Sequence, residues 1–459
     1  MSRHFDLVVI GGGPAGITLA RMLGRRMRVA VVRPEAHSMI YCAMPYAIEG
    51  IMPPERVYKK DTLVTEAGAE LVRDRAVRLD LDSRQVFLAE GEPLTYGKLV
   101  LTMGSLPIRP PLPGIELPGA MTCKTQEDLT TLCDLAGRGL GHAVVVGAGA
   151  IGIELAQALN ARGVHTTLVD MMDSILPNLA DADMVTGARA LLEENGIETR
   201  LGVAVESLTG DGCVEGLRLG GGETLAFTDA SPIHTGTGQS LKGIVVFAVG
   251  ARADLDLVRD TALELGRDGI RVDSRMRTNL PDVYACGDCV EFASGITGEV
   301  TPGRLATNAV PMAKVLGRNL LGEDREYPGF FNGAATRVYD QFIGGTGLTE
   351  AACARHRIET VTGYGETTTQ FPIMPDAKPL RVKLIARRDS GRLVGAQVVS
   401  GEPVAARIDL LTFAIQAGAG LRELTELSYS SQPYQAFFPA ANAVVLAAEN
   451  ALAARTETP

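Results

Sequence analysis

Residues 5–16 read FDLVVIGGGPAG. The apolar run 5–10 has the character of a buried strand. It leads without a break into Gly11-Gly12-Gly13-Pro14-Ala15-Gly16 and then into the apolar, helix-like stretch 17–23. Gly11, Gly13 and Gly16 spell GxGxxG between a strand and a helix. Small residues there permit a tight turn and close approach of a pyrophosphate. The helix start then offers unpaired N–H groups to phosphate oxygens. A second strand is predicted at 29–32. The pattern returns 136 residues later: a strand at 143–146, Gly147-Ala148-Gly149-Ala150-Ile151-Gly152, a helix at 153–161 and a returning strand at 166–169. Two copies predict two dinucleotide sites, in an α/β chain with two Rossmann-like nucleotide-binding domains.

The rest of the chain fits around this pair. A length of 459 residues suggests two to four domains. The proline-rich stretch 107–118 lies between the copies as a crossover, and 328–333 marks another change of character. Beyond it, strands are predicted at 381–385 and 393–399 and helices at 408–416 and 441–452, so a third domain is expected from about 326 onward. Hydrophobic residues at 46% and charged residues at 21% exclude a wholly disordered chain. A net charge of −10 disfavours a general nucleic-acid scaffold, and no nucleic-acid partner is expected. Seven cysteines are too sparse for a disulfide scaffold in a chain this long, and a reducing compartment is the simplest reading. The N-terminus enters a strand at once, without a secretory signal, and no clean run of 18 apolar residues occurs. A cytoplasmic location with no membrane partner is therefore expected.

Several side chains near these turns carry candidate chemistry. Asp170 closes the returning strand of the second copy, where a carboxylate accepts hydrogen bonds from adenosine ribose hydroxyls and repels the extra phosphate of NADP. Met171-Met172-Asp173 supplies no basic side chain for that phosphate, so NAD(H) is favoured over NADP(H). In the first copy Arg33 stands about where an acid would be convenient, and Glu35 is the candidate ribose ligand; the alternative is an ordinary loop glutamate. A third segment, TNLPDVYACGD at 278–288, ends in Gly287-Asp288 and precedes a helix at about 306–320. Asp288 either orients a ribityl hydroxyl or phosphate-bound water, or caps a helix. Taken with the two glycine turns, this segment suggests FAD plus a nicotinamide cofactor.

Across nearly all its length the sequence resembles the flavin-dependent pyridine nucleotide–disulfide oxidoreductases. The matching features are GGGPAG at 11–16, Cys42-Ala43-Met44-Pro45-Tyr46, LTMGSLPIRPPLPG at 101–114, GAGAIGIE at 147–154 and TNLPDVYACGD at 278–288. Ala47, not a second cysteine, follows Cys42 five positions on. The resemblance is therefore to the single-cysteine branch, which includes coenzyme A-disulfide reductases, NADH oxidases, NADH peroxidases and persulfide reductases.

The resemblance implies an FAD domain of 1–118 and 245–325, an NAD domain of 119–244 and a C-terminal α+β dimerisation domain of 326–459. It also implies a homodimer whose active sites are completed across the interface. It makes Cys42 the redox centre and puts Glu154 near the meeting point of nicotinamide and flavin; the alternative for Glu154 is a helix-surface position. Thr102, Gly104 and Ser105 match a turn near the flavin, and Gly250 joins them as a cofactor-contact position. Tyr429 and Tyr434 resemble the tyrosine-bearing segment of the coenzyme A-disulfide branch, where a hydroxyl donates to a leaving thiolate. Phe371 departs from that branch, which would have a tyrosine there. Lys59 and Lys60 read as a solvated pair. Cys286 and Cys289 have redox CxxC spacing but are better explained as structural, and neither the cysteines nor the six histidines complete a metal site.

The implied activity is NADH-dependent reduction of low-molecular-weight disulfides, coenzyme A persulfide or polysulfide, with electrons passing through FAD to Cys42. The alternatives are an NADH oxidase or peroxidase using a Cys42 sulfenic acid, and a redox-sensing interaction protein.

Overall fold

The computed structural model describes residues 3–228, 231–234 and 240–456. The chain divides into two compact units. The first comprises Met1–Met44, Pro53–Ile108 and Gly250–Phe330; the second comprises Pro45–Met52, Arg109–Val249 and Phe331–Pro459.

In the first unit, β1 (Arg3–Ile10) enters a glycine turn, α1 (Pro14–Leu23) leaves it, and β2 (Val29–Val32) returns parallel to β1 with Ile10 beside Val32. On its other side β1 pairs in parallel with β3 (Leu94–Leu101), and β3 pairs with the short strand Val283–Ala285. Phe5, Leu7, Val8 and Val9 are fully buried. That explains the unbroken apolar reading of β1: a parallel strand covered on both faces has no polar face to show. The buried positions of α1, from Ala15 through Leu19 to Leu23, recur at helical spacing. The helix starts at Pro14, three residues before the apolar run at 17–23. Proline at a first helical position loses nothing, because its missing N–H would have no partner there. The helix Ala306–Leu320 has the bounds expected from sequence.

The second unit repeats this arrangement. β4 (His142–Val146), α3 (Ala150–Ala161) and β5 (His165–Asp170) form the second glycine-turn fold, with Val146 beside Val169. They belong to an all-parallel five-stranded sheet that runs Ala120–Thr122, Gly243–Phe247, β4, β5, Glu198–Leu201. The C-terminal part of this unit is a five-stranded antiparallel sheet ordered β6 (Ala334–Val338), Gln341–Gly347, Leu393–Ser400, β7 (Pro379–Arg387), Thr360–Thr368. The predicted strands at 381–385 and 393–399 fall inside two of these. The predicted helices at 408–416 and 441–452 correspond to Ala405–Gln416 and Ala443–Thr456. The architecture is α/β, with two Rossmann-type folds followed by this antiparallel domain.

Candidate functional site

The two glycine turns are built alike. Gly11 and Gly147 have φ of +114° and +113°, and each donates its N–H to a carbonyl near the end of the returning strand, Val32 at 2.9 Å and Val169 at 2.7 Å. A Cβ at Gly11 would lie 2.1 Å from the Thr102 carbonyl oxygen, and one at Gly147 would lie 2.6 Å from that of Ala248. Side chains at Gly16 and Gly152 would run into the carbonyls of Gly11 and Gly147 at 2.0 and 1.8 Å. Gly13 and Gly149 differ: a Cβ there would meet no protein atom within 4 Å. These two residues are the N-caps of α1 and α3, and neither helix start has a side-chain cap. Each turn therefore presents uncapped N–H groups to open space, which is what a pyrophosphate requires. The residues present fit two dinucleotides.

Thr102 and Gly287 touch the first turn, with Asp288 next to Gly287, while Gly104 and Gly250 flank opposite ends of the paired strands Ser105–Pro107 and Ala251–Ala253. Buried Thr102 donates its hydroxyl to the carbonyls of Ile10 and Gly11 at 3.0 and 2.9 Å, so it braces the turn. Ser105 donates to Asp288 Oδ2 at 3.0 Å, and Arg304 donates to the Asp288 carbonyl at 3.1 Å. Gly287 (φ +82°) lies against Ala15: its Cβ would be 3.5 Å from that of Ala15. Gly104 and Gly250 also take left-handed φ, +81° and +105°, and the Gly250 carbonyl accepts from the Ile108 N–H at 3.0 Å. No helix begins at Asp288, so it does not cap one. The carboxylate is instead held half-buried beside the glycine turn.

Glu35 stands in the open. The strand registers make Arg33 the counterpart of Asp170: each directly follows the residue, Val32 or Val169, that pairs with the end of the first strand. The Arg33 side chain is buried. It donates to the carbonyls of Glu35 and Ala36 at 2.9 and 3.0 Å and to Asp61 Oδ1 at 2.7 Å. The Glu35 backbone is thus pinned while its carboxylate is exposed. Burial, then the Glu35 and Asp288 carboxylates, pushes the Tyr41 hydroxyl above its ordinary pKa, so both carboxylates face one region.

In the second copy Asp170 is tied to its turn. Oδ2 accepts from the Ala148 N–H at 2.6 Å and Oδ1 from the Met172 N–H at 2.8 Å. The next two side chains, Met171 and Met172, are 73% and 45% exposed, so the surface beyond the carboxylate is apolar. Glu154, one turn into α3, is not a surface glutamate. Burial raises its pKa above the ordinary carboxylate value, while hydrogen bonds from the Thr336 and Tyr46 hydroxyls act to lower it.

Cys42 sits on a 3-10 turn, Tyr41–Ala43, ahead of α2 (Met44–Glu49). It is the one exposed cysteine of the seven. Lys59 stands in the short strand Tyr58–Lys59, which pairs with Ser38–Met39, and its ammonium interacts electrostatically with Cys42. Burial lowers the Lys59 pKa and the Cys42 charge raises it. Lys59 is therefore not half of a solvated pair: it is half-buried, while Lys60 is exposed. Sequence carries no signal for this, because the electrostatic proximity depends on the strand pairing. Cys286 and Cys289 are fully buried, and burial pushes both thiols up, Cys289 to about 12.

Tyr429 and Tyr434 lie in the segment following the short helix Leu421–Thr425. Tyr429 donates its hydroxyl to the Pro439 carbonyl at 2.5 Å and packs edge-on against Phe437. Tyr434 is 63% exposed. Phe371 packs edge-on against Phe438.

The profile of the family described as pyridine nucleotide-disulphide oxidoreductase matches residues 5–313, and that of its dimerisation domain matches 334–436. The chain is similar to an NADH oxidase of Methanocaldococcus jannaschii, 32% identical over 93% of this chain and 94% of that protein. It is also similar to a CoA-dependent NAD(P)H sulfur oxidoreductase of Pyrococcus furiosus, at 27% identity over 92% of this chain and 95% of that protein. Among solved structures, a NAD-dependent persulfide reductase from A. fulgidus superposes with a TM-score of 0.89 at 27% identity, covering 98% of this chain and 83% of that one. Among the described residues, no helix is long and apolar enough to cross a membrane.

Proposed function

The chain belongs to the pyridine nucleotide-disulphide oxidoreductase family and is an FAD-dependent NAD(P)H oxidoreductase with a dimerisation domain, and we propose that it uses NADH to reduce low-molecular-weight disulfides, coenzyme A persulfide or polysulfide at Cys42. The observation that carries this reading is the setting of Cys42: exposed and on a turn, the only one of the seven cysteines so placed. Exposure on a turn lets a substrate sulfur reach this thiol, and the thiolate form of a cysteine is the nucleophile. The Pyrococcus and A. fulgidus relatives, named for sulfur and persulfide reduction, support it.

In this proposal FAD is held by the 1–118 and 245–325 segments, through the Gly11–Gly16 turn, Thr102, Gly104, Gly250, Gly287 and Asp288, with Glu35 as ribose ligand. NAD(H) is held by 119–244, through Gly147, Gly149, Gly152 and Asp170. The flavin, when bound, supplies the two-electron chemistry that links nicotinamide to sulfur. Cys42 attacks one sulfur of a substrate RSSR; a Cys42–SR disulfide forms and one thiolate leaves. Two electrons then break that disulfide, restore the Cys42 thiolate and release the second thiolate. A tyrosine of the partner subunit's 326–459 domain protonates the leaving sulfur across a homodimer interface. Tyr434 suits this better than Tyr429, whose proton is already committed to a carbonyl. Phe371 has no hydroxyl to add, which turns the proposal away from coenzyme A disulfide and toward persulfide or polysulfide. Seven cysteines outside any disulfide fit a reducing, cytoplasmic setting.

The test is an anaerobic NADH panel of coenzyme A disulfide, coenzyme A persulfide, polysulfide and peroxide, run on native protein and Cys42→Ser. Sulfur-substrate turnover should vanish in the variant while NADH still bleaches the flavin. Unchanged sulfur reduction would sink the Cys42 mechanism. A second reading, oxidase or peroxidase chemistry with a Cys42 sulfenic acid, is favoured by the Methanocaldococcus relative's name. It is distinguished by water formed from oxygen or peroxide in place of thiol or hydrosulfide. A redox-sensing protein would instead change state and release a partner with negligible turnover.

A further inference from the structure

One face of α3 is sewn to the C-terminal sheet. Glu154, Gln157 and Asn160 follow one another at intervals of three, so they share that face. Thr336, in β6, donates its hydroxyl to Glu154 Oε1 at 2.7 Å. Gln157 donates to the Arg337 carbonyl at 3.0 Å and accepts from the Tyr339 N–H at 2.7 Å. Asn160 donates to the Tyr339 hydroxyl oxygen at 3.3 Å. The Glu154 carboxyl has a second hydroxyl partner, Tyr46, in α2 and four residues beyond Cys42.

We infer that Tyr46 and Thr336 are positioning residues for Glu154, and that together they make its carboxyl a proton-linked discriminator between NAD+ and NADH. This rests on the proposed reading of Glu154 as the group facing the nicotinamide. The nicotinamide ring is cationic in NAD+ and uncharged in NADH. An ionised carboxylate beside it favours NAD+; a neutral carboxylic acid gives up that preference. Two opposed influences set which form is present. Burial favours the neutral acid, and the two hydroxyl donors favour the anion, with burial prevailing.

The other ionisable groups on the elements around α3 are engaged elsewhere. His142 and His165 begin their strands, at the end away from the glycine turn. Asp170 is held by the Ala148 and Met172 amides. The Arg337 guanidinium donates to the Tyr339 carbonyl, and Glu49 acts on the Tyr339 hydroxyl. Arg162 caps the far end of α3. Burial and the two hydroxyls alone account for the position of Glu154.

The experiment is calorimetric binding to the oxidised holoprotein across pH, with NAD+ and with the unreactive, uncharged-ring analogue tetrahydro-NAD. Buffers of different ionisation heat count the protons. For the native protein, NAD+ affinity should rise with pH through the Glu154 midpoint and then level, and binding below that midpoint should release up to one proton. The analogue should do neither. Thr336→Val and Tyr46→Phe each remove a donor to the anion, so each should move the midpoint upward by about one pH unit. Thr336→Ser, which keeps the hydroxyl, should restore the native midpoint. Glu154→Gln should flatten the profile. If Glu154→Gln leaves the NAD+ profile intact, Glu154 does not face the nicotinamide and the underlying reading fails. If it flattens the profile while Thr336→Val and Tyr46→Phe leave the midpoint in place, the positioning roles alone are overturned.

Discussion

Asp170 has work for both carboxylate oxygens before any nucleotide arrives, since each accepts a backbone N–H from its own or the neighbouring turn. It therefore shapes the glycine turn, and in the proposed reading it also offers lone pairs to a ribose. Asp170→Ala should weaken NADH roughly tenfold and at the same time narrow its advantage over NADPH, because one change removes a charge-assisted hydrogen bond and a repulsive charge. Steady-state KM values for both nucleotides read the outcome; an unaltered NADH to NADPH ratio would remove Asp170 from the specificity argument. This residue was legible in the sequence because its place follows from a strand end and a turn a few residues apart. Lys59 was not: its neighbour Cys42 is reached only through the pairing of Ser38–Met39 with Tyr58–Lys59. Tyr46 stands inside the very motif that identifies Cys42, yet its partner Glu154 belongs to another fold of the chain.

At the level of elements, the two glycine turns separate conformational need from ligand need. Gly147 holds φ +113° with the Ala248 carbonyl 2.6 Å from where a methyl would go, so Gly147→Ala should cost about 2 kcal/mol or more of stability. Gly149→Ala meets nothing within 4 Å and should unfold at the native midpoint. Its methyl would occupy space that a phosphate must enter, so NADH affinity should fall all the same. Denaturation midpoints and NADH titrations on the two variants make the comparison. Equal loss of stability in both would mean the open side of the turn is not open in solution. The returning strands expose the contrast between the copies: the same register ends on Asp170 in one and on Arg33 in the other. Sequence spacing pointed to an acid near Glu35 because an acid was missing at 33. The half-buried ion pair of Arg33 with Asp61 gives the physical reason that position is cationic.

On the scale of the molecule, the second unit is joined internally by a charge cluster around one buried lysine. The Lys383 ammonium, with no exposed side-chain surface, lies 3.1, 2.8 and 2.6 Å from carboxylates of Asp181, Asp183 and Glu350. The three acids approach one another closely enough to hold a metal ion, and the lysine stands among them as their cation. Lys383→Met would leave three carboxylates around an uncharged chain and should destabilise the fold by about 2–3 kcal/mol, measured as a shift in urea midpoint. The acid side of the stability curve follows from the same kind of contact. Lys98 and Arg84 hold the Asp282 carboxyl below its usual range. For Asp183, burial pushes upward, but Lys383, the Tyr364 hydroxyl and Arg381 together outweigh it. Folded pKa values below unfolded ones contribute stability above about pH 4, and that stability is lost as pH falls through the folded values. Thermal midpoints should therefore be level between about pH 5 and 7 and drop below about pH 4, and Asp282→Asn should lower the plateau and flatten the drop.

What the chain's order of residues determined by itself is the pair of nucleotide folds and the lone sulfur at 42. A glycine turn, its φ values and the start of its helix all lie within about ten residues, so their chemistry is local. What only the folded chain decided is which groups stand beside those turns and that sulfur: Lys59 near Cys42, Tyr46 and Thr336 on Glu154, Lys383 among its acids. Thr336 and Glu154 are 182 positions apart, and Lys383 and Asp183 are 200 apart. Contacts at such separations are created by sheet register and by which element packs on which, and no short stretch of sequence contains either.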